Sequence, residues 1–237
     1  MAAANQGTGY SLENAREFGW GTGALTDERR ELLHNHVQGR TVLDAGCGVG
    51  GFVDYLSRRG FEATGLEKHD FFLAEARKIG FQGNFVRGDL SSTLPFRDRA
   101  FDTTICLDVL EHVENDVAAV RELARVTRQR LVIAVPHEDK WMSRYGLVFS
   151  PYRDPTHLRY YTPDSLGALV NGPWAAKVDV SGEYPIKFRE LALDFLKPTA
   201  TTPGLSPIYR KLFRFFVDRT GPPSLFMNLV AVVDLQW

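Results

Sequence analysis

The chain has few cysteines and no excess of charge of either sign. Its 237 residues include only two cysteines, Cys47 and Cys106, and these fit neither a metal-binding spacing nor a disulfide framework. Lys and Arg total 28 against 29 Asp and Glu, which gives a formal net charge of −1. A global basic field that would attract nucleic acid is absent, so nucleic acid is not an expected partner.

Long apolar runs are missing as well. The longest run near the C-terminus, residues 229–233, is far shorter than the roughly 20 residues of a membrane-spanning helix. The first residues, MAAANQG, lack the basic region and apolar core of an export signal. With 44% hydrophobic and 24% charged residues, the composition is that of a globular domain. We therefore expect a cytoplasmic protein and no membrane contact.

What the sequence does contain is an apolar strand that ends in a glycine-dense turn. Residues 41–52 read TVLDAGCGVGGF, and the segment after them is typical of a helix. Glycine is required where the backbone takes a positive φ or where a ligand touches it, and a helix start offers free N–H groups. A purely structural turn rarely needs four glycines in six residues, so the pattern predicts a loop that binds a nucleotide cofactor.

Two cofactor patterns fit this loop. Gly46, Gly48 and Gly51 match the dinucleotide pattern G-x-G-x-x-G, whereas Asp44 followed by alternate glycines as far as Gly50 matches D-x-G-x-G-x-G. The glycines alone do not decide between them. The carboxylate of Asp44 suits a cofactor whose nearby end carries an ammonium group, and it would repel a pyrophosphate. Charge therefore favours S-adenosylmethionine over NAD.

Two further acidic residues follow apolar runs and suit an adenosine. Glu67 ends the second run, 21 residues after Gly46, where its carboxylate can accept both ribose hydroxyls. Asp89 comes after the third run, where it can accept a hydrogen bond from the adenine amino group while Leu90 packs on the ring.

Through these motifs the chain resembles the class I S-adenosylmethionine-dependent methyltransferases, in their broad small-molecule branch. The segments that carry the resemblance are VLDAGCGVG, TGLE, GDL, LPFRDRAFDTTICLDVLEHV and RELARVTRQRLVIAVP, within residues 41–136. The resemblance implies S-adenosylmethionine as the cofactor. It implies these site residues: Asp44 with the loop of Gly46, Cys47, Gly48 and Gly50 at the methionine end, Glu67 at the ribose, Asp89 and Leu90 at the adenine, and Asp108 near the sulfonium and the acceptor.

Strands alternate with helical segments over residues 41–136, which predicts a parallel sheet with right-handed crossovers and helices on both faces. The resemblance implies an α/β, Rossmann-like, doubly wound and mostly parallel seven-stranded sheet, with an antiparallel last strand and a helical insertion before it. One departure is the replacement of the usual Lys-Pro-Gly-Gly turn by residues 126–130, which leaves the start of the fifth strand undefined.

The expected organisation has two parts. Residues 1–40 form an N-terminal cover and a first helix, and residues 41–237 form the methyltransferase domain. Within that domain we assign residues 137–161 to the acceptor site and residues 186–224 to the helical insertion.

Two histidines are the candidates for catalysis. His137 follows the predicted fifth strand and His157 lies shortly after it, so both should border the crevice above the carboxyl ends of the strands. Residues 154–162, DPTHLRYYT, loosely resemble stretches of family members that act on sugars and secondary metabolites. We interpret His157 or His137 as the general base, with Tyr160 or Tyr161 shaping the pocket.

Other roles for these histidines stay open. His137 and His157 with Asp139 and Asp154 would suit a divalent cation, but their spacing matches no established motif, and we assign no metal site. A plain hydrogen-bonded structural role is a further alternative. His112, in the family motif LEHV, is interpreted as structural or cofactor-shaping.

The predicted insertion contains one amphipathic helix candidate, over residues 208–219. Its apolar face comprises Ile208, Leu212, Phe215 and Phe216, and four of the other residues are basic against one acidic residue. We favour packing over the sheet edge or a homodimer contact, while a membrane surface or lipid substrate is the alternative.

The sequence thus predicts a methyltransferase that acts on oxygen, less often nitrogen, of a small molecule such as a saccharide or secondary metabolite. A lipid-like or quinone acceptor is the alternative within this class. Outside it, an NAD-dependent oxidoreductase and a non-catalytic cofactor-binding protein remain.

Overall fold

The computed structural model describes residues 23–137, 156–186 and 225–237, together with residues 211, 212, 215 and 219. Residues 1–22 of the expected N-terminal cover lie outside this part of the chain. So do most of the acceptor-site segment and most of the helical insertion.

Strands and helices alternate along most of the described chain. A 3₁₀ turn, Leu110–His112, precedes the fourth helix. The elements in chain order are α1 (Asp27–His36), β1 (Thr41–Ala45), α2 (Gly51–Ser57), β2 (Glu62–Glu67), α3 (Asp70–Ile79), β3 (Asn84–Arg87), β4 (Phe101–Leu107), α4 (Asp116–Val126), β5 (Thr127–Pro136), α5 (Pro163–Val170), β6 (Ala175–Ile186) and β7 (Leu225–Leu235).

All seven strands form one sheet in the order β3-β2-β1-β4-β5-β7-β6. The strands from β3 to β5 pair in parallel, and β7 runs antiparallel to both of its neighbours. The predicted fold class is therefore confirmed, including the antiparallel last strand. The chain order reverses between β1 and β4, and in sheets of this kind ligands bind in the crevice at the carboxyl ends of the strands beside that point.

Helices cover both faces of the sheet, as expected. Val42 and Leu43 are adjacent on β1 and fully buried, yet they belong to different core clusters because successive side chains of a strand point to opposite faces. One cluster includes Leu123 of α4, and the other includes Leu33 of α1. The described helices thus enclose the sheet from both sides.

The unusual junction before β5 has a simple structure. α4 ends at Val126 and β5 begins at Thr127, with no loop between them. The hydroxyl of Thr127 donates to the Leu123 carbonyl at 2.5 Å and lies 2.6 Å from the hydroxyl of Thr104 on β4. A single buried threonine thus ends the helix and starts the strand, which is why the family's glycine turn is dispensable here.

The later elements agree with the sequence. α5 begins after Thr162, whose side chain accepts from the Ser165 N–H at 3.1 Å, and Pro163 occupies the first helical position. β6 and β7 are the longest strands of the described sheet, at 12 and 11 residues.

Four residues of the predicted insertion helix are described, and all four are helical. Leu212 and Phe215 are each 61% exposed, so the single chain does not cover its apolar face at these positions. Ile208 and Phe216 lie outside the described residues. Across the described parts of the chain, no helix combines the length and the apolarity that crossing a bilayer requires.

Candidate active site

The glycine loop after β1 is tied to the end of β2. The N–H groups of Gly46 and Cys47 both donate to the Leu66 carbonyl, at 2.8 and 3.0 Å. Gly46 has a φ of 89°, and a Cβ added there would lie 2.5 Å from a methyl group of Val109. Gly48 has a φ of 53°, and its added Cβ would meet no atom of the described residues within 4 Å. Packing therefore requires glycine at position 46, whereas at Gly48 the backbone faces open space that a ligand can occupy.

Cys47 lies inside this loop and is not a reactive thiol. It is 8% exposed, and its sulfur packs so closely on β2 that a Cβ at Gly65 would come within 2.6 Å of it. Burial raises the pKa of this thiol, with the nearby carboxylates of Asp44 and Glu67 adding to the effect. Its contribution is to shape the loop.

Glu67 holds the loop in place. One carboxylate oxygen accepts the Gly48 N–H at 3.0 Å and the other accepts the His69 N–H at 2.8 Å. Each carboxylate oxygen can accept a second hydrogen bond. The buried side chain thus remains able to accept ribose hydroxyls at the end of β2, where the sequence predicts them.

Asp44 is a buried carboxyl in an uncompensated position. It is 3% exposed, and its Oδ2 has no hydrogen-bond partner among the described residues. Burial and the charge of Glu67 raise the pKa of Asp44 to about 8. A buried carboxylate without a partner is costly, and an ammonium group next to it removes that cost. The amino-acid end of S-adenosylmethionine carries such a group, so the residues present fit this cofactor.

The predicted adenine residues differ in exposure. Asp89 lies two residues after the end of β3 and is half-buried, and one of its oxygens accepts the Ser91 N–H at 2.8 Å. Leu90 is only 6% exposed and belongs to the main core cluster. Leu90 therefore packs into the core, and its contact with an adenine stays a prediction.

Asp108, directly after β4, has a strained backbone and two side-chain partners. Its φ is 57°, in the left-handed region that disfavours residues with a side chain. Arg29 of α1 donates to its Oδ2 at 2.6 Å, and Asn228 of β7 donates to its Oδ1 at 2.9 Å. The side chain is still 47% exposed, so the carboxylate is oriented by two distant elements while it faces the crevice.

A second carboxyl group joins this cluster. Glu183 of β6 is 8% exposed and lies 3.3 Å from Nη2 of Arg29. Burial raises its pKa to about 7, against the opposing charge of Arg29. Sequence reasoning missed Arg29, Glu183 and Asn228, because no local motif marks residues that meet only through the sheet order.

His137 is anchored at the end of β5. Its backbone N–H donates to the Met227 carbonyl at 3.0 Å, and the Nδ1 atom of its ring lies 3.3 Å from the Phe226 carbonyl. A carbonyl only accepts, so Nδ1 carries the proton and Nε2 is the basic nitrogen. His137 thus has the tautomer of a proton acceptor at the edge of the crevice.

His157 belongs to a different group of side chains. It is 7% exposed, its ring packs at 4.7 Å on that of His112, and its Nε2 lies 4.0 Å from Oε1 of the buried Glu111. Of the predicted cation ligands, Asp139 and Asp154 lie outside the described residues. Within the described residues, the donor atoms that gather around His157 come from Glu111 and His112.

The chain around His157 is fastened to the 3₁₀ turn after β4. The Leu158 N–H donates to the Glu111 carbonyl at 2.8 Å, and the guanidinium of Arg159 donates to the carbonyls of Val113 and Glu114. The hydroxyl of Tyr161 lies 3.0 Å from a carboxylate oxygen of Asp116. We call residues 156–161 the return segment. Tyr161 is 3% exposed within the core, which leaves Tyr160 as the tyrosine that can line a pocket.

This arrangement defines a Rossmann-like nucleotide-cofactor protein: a glycine loop after β1, an acid at the end of β2 and an oriented acid after β4. Residues 43–134 match the family described as "Methyltransferase domain". Together with the sheet order and the similar proteins described next, this match supports a class I S-adenosylmethionine-dependent methyltransferase domain, with S-adenosylmethionine as its cofactor.

The similar proteins agree with this class. An uncharacterized methyltransferase of Mycobacterium sp. (strain KMS) is 33% identical over 134 residues, which is 52% of each chain. A ubiquinone biosynthesis O-methyltransferase of Alkalilimnicola ehrlichii is 32% identical over 100 residues, 39% of each chain. A probable S-adenosylmethionine-dependent methyltransferase of Mycobacterium tuberculosis is 28% identical over 204 residues, 84% of this chain and 69% of the relative.

The fold is also that of a solved S-adenosylmethionine-dependent methyltransferase from Archaeoglobus fulgidus. The TM-score is 0.65 at 18% identity, and the match covers 94% of this chain and 96% of the other. The chain spans about half the length of the curated Mycobacterium sp. relatives that it matches.

Proposed function

We propose that the protein transfers the methyl group of S-adenosylmethionine to an oxygen atom of a small molecule, with a saccharide or secondary metabolite as the first acceptor class to test. Transfer to nitrogen is the less favoured form. The observation that carries this proposal is the buried pair of His157 and Glu111. Glu111 lies three residues after Asp108, at the carboxyl edge of the sheet. A hydroxyl acceptor usually needs a general base such as an imidazole to remove its proton, whereas a neutral amine does not.

In this reaction the acceptor oxygen attacks the methyl carbon in line with the sulfonium. The carbon–sulfur bond breaks as the carbon–oxygen bond forms, S-adenosylhomocysteine leaves, and the hydroxyl loses its proton. We propose that an imidazole accepts this proton as the general base, with His157 as the first candidate and His137 as the second. The sulfonium already activates the methyl carbon, so positioning and proton removal are the tasks left to the protein.

The cofactor contacts that we propose follow the sequence predictions. Asp44 pairs with the ammonium group, and the backbone from Gly46 to Gly50 borders the methionine end. Glu67 accepts the ribose hydroxyls, while Asp89 accepts the adenine amino group. The support is the orphaned Oδ2 of Asp44 and the open space at Gly48.

A lipid-like or quinone acceptor is the second candidate. One relative is a ubiquinone biosynthesis O-methyltransferase, and Leu212 and Phe215 expose apolar surface beside the basic Lys211 and Arg219. The same exposed surface would suit a homodimer contact. We propose a cytoplasmic location, for which the two free thiols are the support.

The first experiment compares calorimetric binding of S-adenosylhomocysteine and NAD to the wild-type chain, Glu67→Gln and the exposed control Glu62→Gln. We expect only S-adenosylhomocysteine to bind, with a loss in Glu67→Gln alone. Labelled S-adenosylmethionine is then incubated with panels of hydroxylated saccharides, secondary metabolites and short-chain quinols. Methyl transfer to an oxygen that falls at least tenfold in His157→Gln supports the proposal. Cofactor binding without transfer to any acceptor would instead favour a non-catalytic protein.

A further inference from the structure

Three side chains from two separate stretches of the chain direct donor atoms at one another. Glu111 and His112 belong to the 3₁₀ turn after β4, and His157 is the second residue of the return segment. One carboxylate oxygen and one ring nitrogen from each histidine all lie within 4.8 Å of one another. The side chains of Glu111, His112 and His157 are 1%, 14% and 7% exposed. They form a nearly enclosed group of two imidazoles and one carboxylate.

The ring of His112 is oriented by a backbone group. Its Nδ1 lies 3.1 Å from the Thr156 carbonyl and 3.0 Å from the hydroxyl of the same residue. Since a carbonyl only accepts, Nδ1 carries the proton and the lone pair resides on Nε2. Nε2 is the atom that faces Glu111, and metal-binding histidines are commonly fixed in this way by a partner on the other ring nitrogen.

The two histidine–carboxylate separations are longer than a hydrogen bond. Nε2 of each histidine lies 4.0 Å from Oε1 of Glu111, whereas an N–H···O hydrogen bond spans about 2.7–3.2 Å. Ligand atoms of a tetrahedral zinc ion, with bonds of about 2.0–2.1 Å, lie roughly 3.3 Å apart. The two nitrogen–oxygen separations would therefore have to shorten by about 0.7 Å, and no pair of donors by more than about 1.5 Å, to reach metal-binding distances.

We propose that Glu111, His112 and His157 bind a divalent transition-metal cation, for which zinc is the best match. Two neutral imidazoles and one carboxylate are a preferred donor set for zinc, and three protein ligands leave a fourth position for the acceptor oxygen. The catalytic consequence rests on the proposed function: a cation here lowers the pKa of the acceptor hydroxyl, His157 contributes as a ligand, and the second candidate base, His137, accepts the proton. The binding itself does not depend on that function.

The test measures metal binding to the full chain without cofactor or acceptor. Protein treated with a chelator is titrated with Zn²⁺ in competition with a chromogenic chelator, and Co²⁺ serves as a visible absorption probe. We expect one Zn²⁺ per chain and a tetrahedral Co²⁺ spectrum. Affinity should fall more than tenfold in His112→Gln and in His157→Gln, and it should stay unchanged in His34→Gln, which alters an exposed histidine of α1.

Folding and function are separated by a second readout. Each variant is tested for S-adenosylhomocysteine binding and for a rise in Tm with Zn²⁺, so a misfolded variant is recognised by the loss of both. Cofactor binding without stoichiometric Zn²⁺ binding in the wild-type chain, or equal Zn²⁺ affinity in all variants, would overturn the metal site alone. Bound Zn²⁺ with no methyl transfer would support the metal site and reject only the proposed reaction.

Discussion

Nη2 of Arg29 donates to Oδ2 of Asp108 at 2.6 Å, which joins the first helix to the residue that follows β4. The same guanidinium lies 3.3 Å from Glu183 of β6. The first helix therefore does more than precede the domain, because it supplies the only positive charge between two carboxyl groups in this described cluster. Orientation of Asp108 depends on residues from both ends of the chain.

Loss of that charge should be costly. In Arg29→Met two carboxyl groups stay in the cluster without a counter-charge, and breaking a buried ion pair in this way costs about 3 kcal/mol. Arg30→Met is the matched control, because Arg30 makes an exposed ion pair with Asp27 that is worth about 0.5 kcal/mol or less. Urea unfolding of the two variants measures the difference. Equal midpoints would contradict the structural role of Arg29.

The residues that the sequence could predict are those marked by local patterns. The glycine loop and the strand–helix alternation follow from spacing within a few residues, and the sheet that they predict is confirmed, while the cofactor contact of Glu67 stays a prediction. Arg29 and Asn228 lie 79 residues before and 120 residues after Asp108, and only the folded sheet order brings them to it.

The acceptor side shows the same limit. His157 was marked by its position near the crevice, but its neighbours Glu111 and His112 come from a motif 45 residues earlier. The return segment meets that motif through hydrogen bonds of Leu158 and Arg159, which have no signature in the sequence. Contacts between two irregular segments leave no periodic pattern in the sequence, so sequence analysis does not predict them.

Glu183 should make stability depend on pH. Its pKa is raised from 4.5 to about 7, mainly by burial. The charges of Asp108 and Glu28 add to this rise, whereas Arg29 and the hydrogen bond with Asn228 oppose it. The folded state binds the proton more tightly than the unfolded state. Its contribution is therefore fully present below pH 4.5 and is lost as pH rises through about 7, by about 3 kcal/mol in total.

Glu183→Gln isolates this contribution. Urea unfolding from pH 5 to pH 8 should show a steeper fall in stability for the wild-type chain than for the variant. Asp179→Asn, which changes an exposed carboxylate of the same strand, should keep the wild-type slope. A variant slope equal to that of the wild type would show that Glu183 is not the buried acid responsible.

Asp44 should release a proton when the cofactor binds. Its pKa of about 8 in the free protein means that the carboxyl is largely protonated at pH 7. An ammonium group next to it favours the charged form, so binding should lower this pKa and expel up to about one proton. Calorimetry of S-adenosylhomocysteine binding in buffers of different ionisation enthalpy measures the release. Asp44→Asn should abolish the release and weaken binding, whereas the exposed Glu62→Gln should change neither.

Substitution of two glycines of the loop should have different effects, on stability at Gly46 and on cofactor binding at Gly48. Gly46→Ala places a methyl group 2.5 Å from Val109, so it should lower the free energy of unfolding by about 2 kcal/mol or more. Gly48→Ala meets no atom of the described residues, so it should cost only about 1 kcal/mol for its positive φ while weakening S-adenosylhomocysteine binding at least tenfold. Val109→Ala should partly rescue the first variant and not the second, as measured by Tm with and without ligand. Rescue of both would mean that the space at Gly48 is not a ligand site.

Arg159 should keep the return segment closed on the 3₁₀ turn. Its guanidinium donates to the Val113 and Glu114 carbonyls and lies 3.6 Å from Asp116, so Arg159→Ala removes several contacts at once. The Leu158 amide, which donates to the Glu111 carbonyl, should then exchange its hydrogen at least about tenfold faster, equivalent to about 1.4 kcal/mol of local opening.

Methyl transfer should fall in Arg159→Ala because His157 loses its fixed position, while S-adenosylhomocysteine affinity stays within about threefold, since no cofactor residue is touched. Arg121→Ala, on the exposed face of α4, is the control for loss of a surface charge. Unchanged exchange of Leu158 with reduced turnover would indicate that Arg159 contacts the acceptor directly. Faster exchange with unchanged turnover would instead separate the return segment from the chemistry and remove His157 from the reaction.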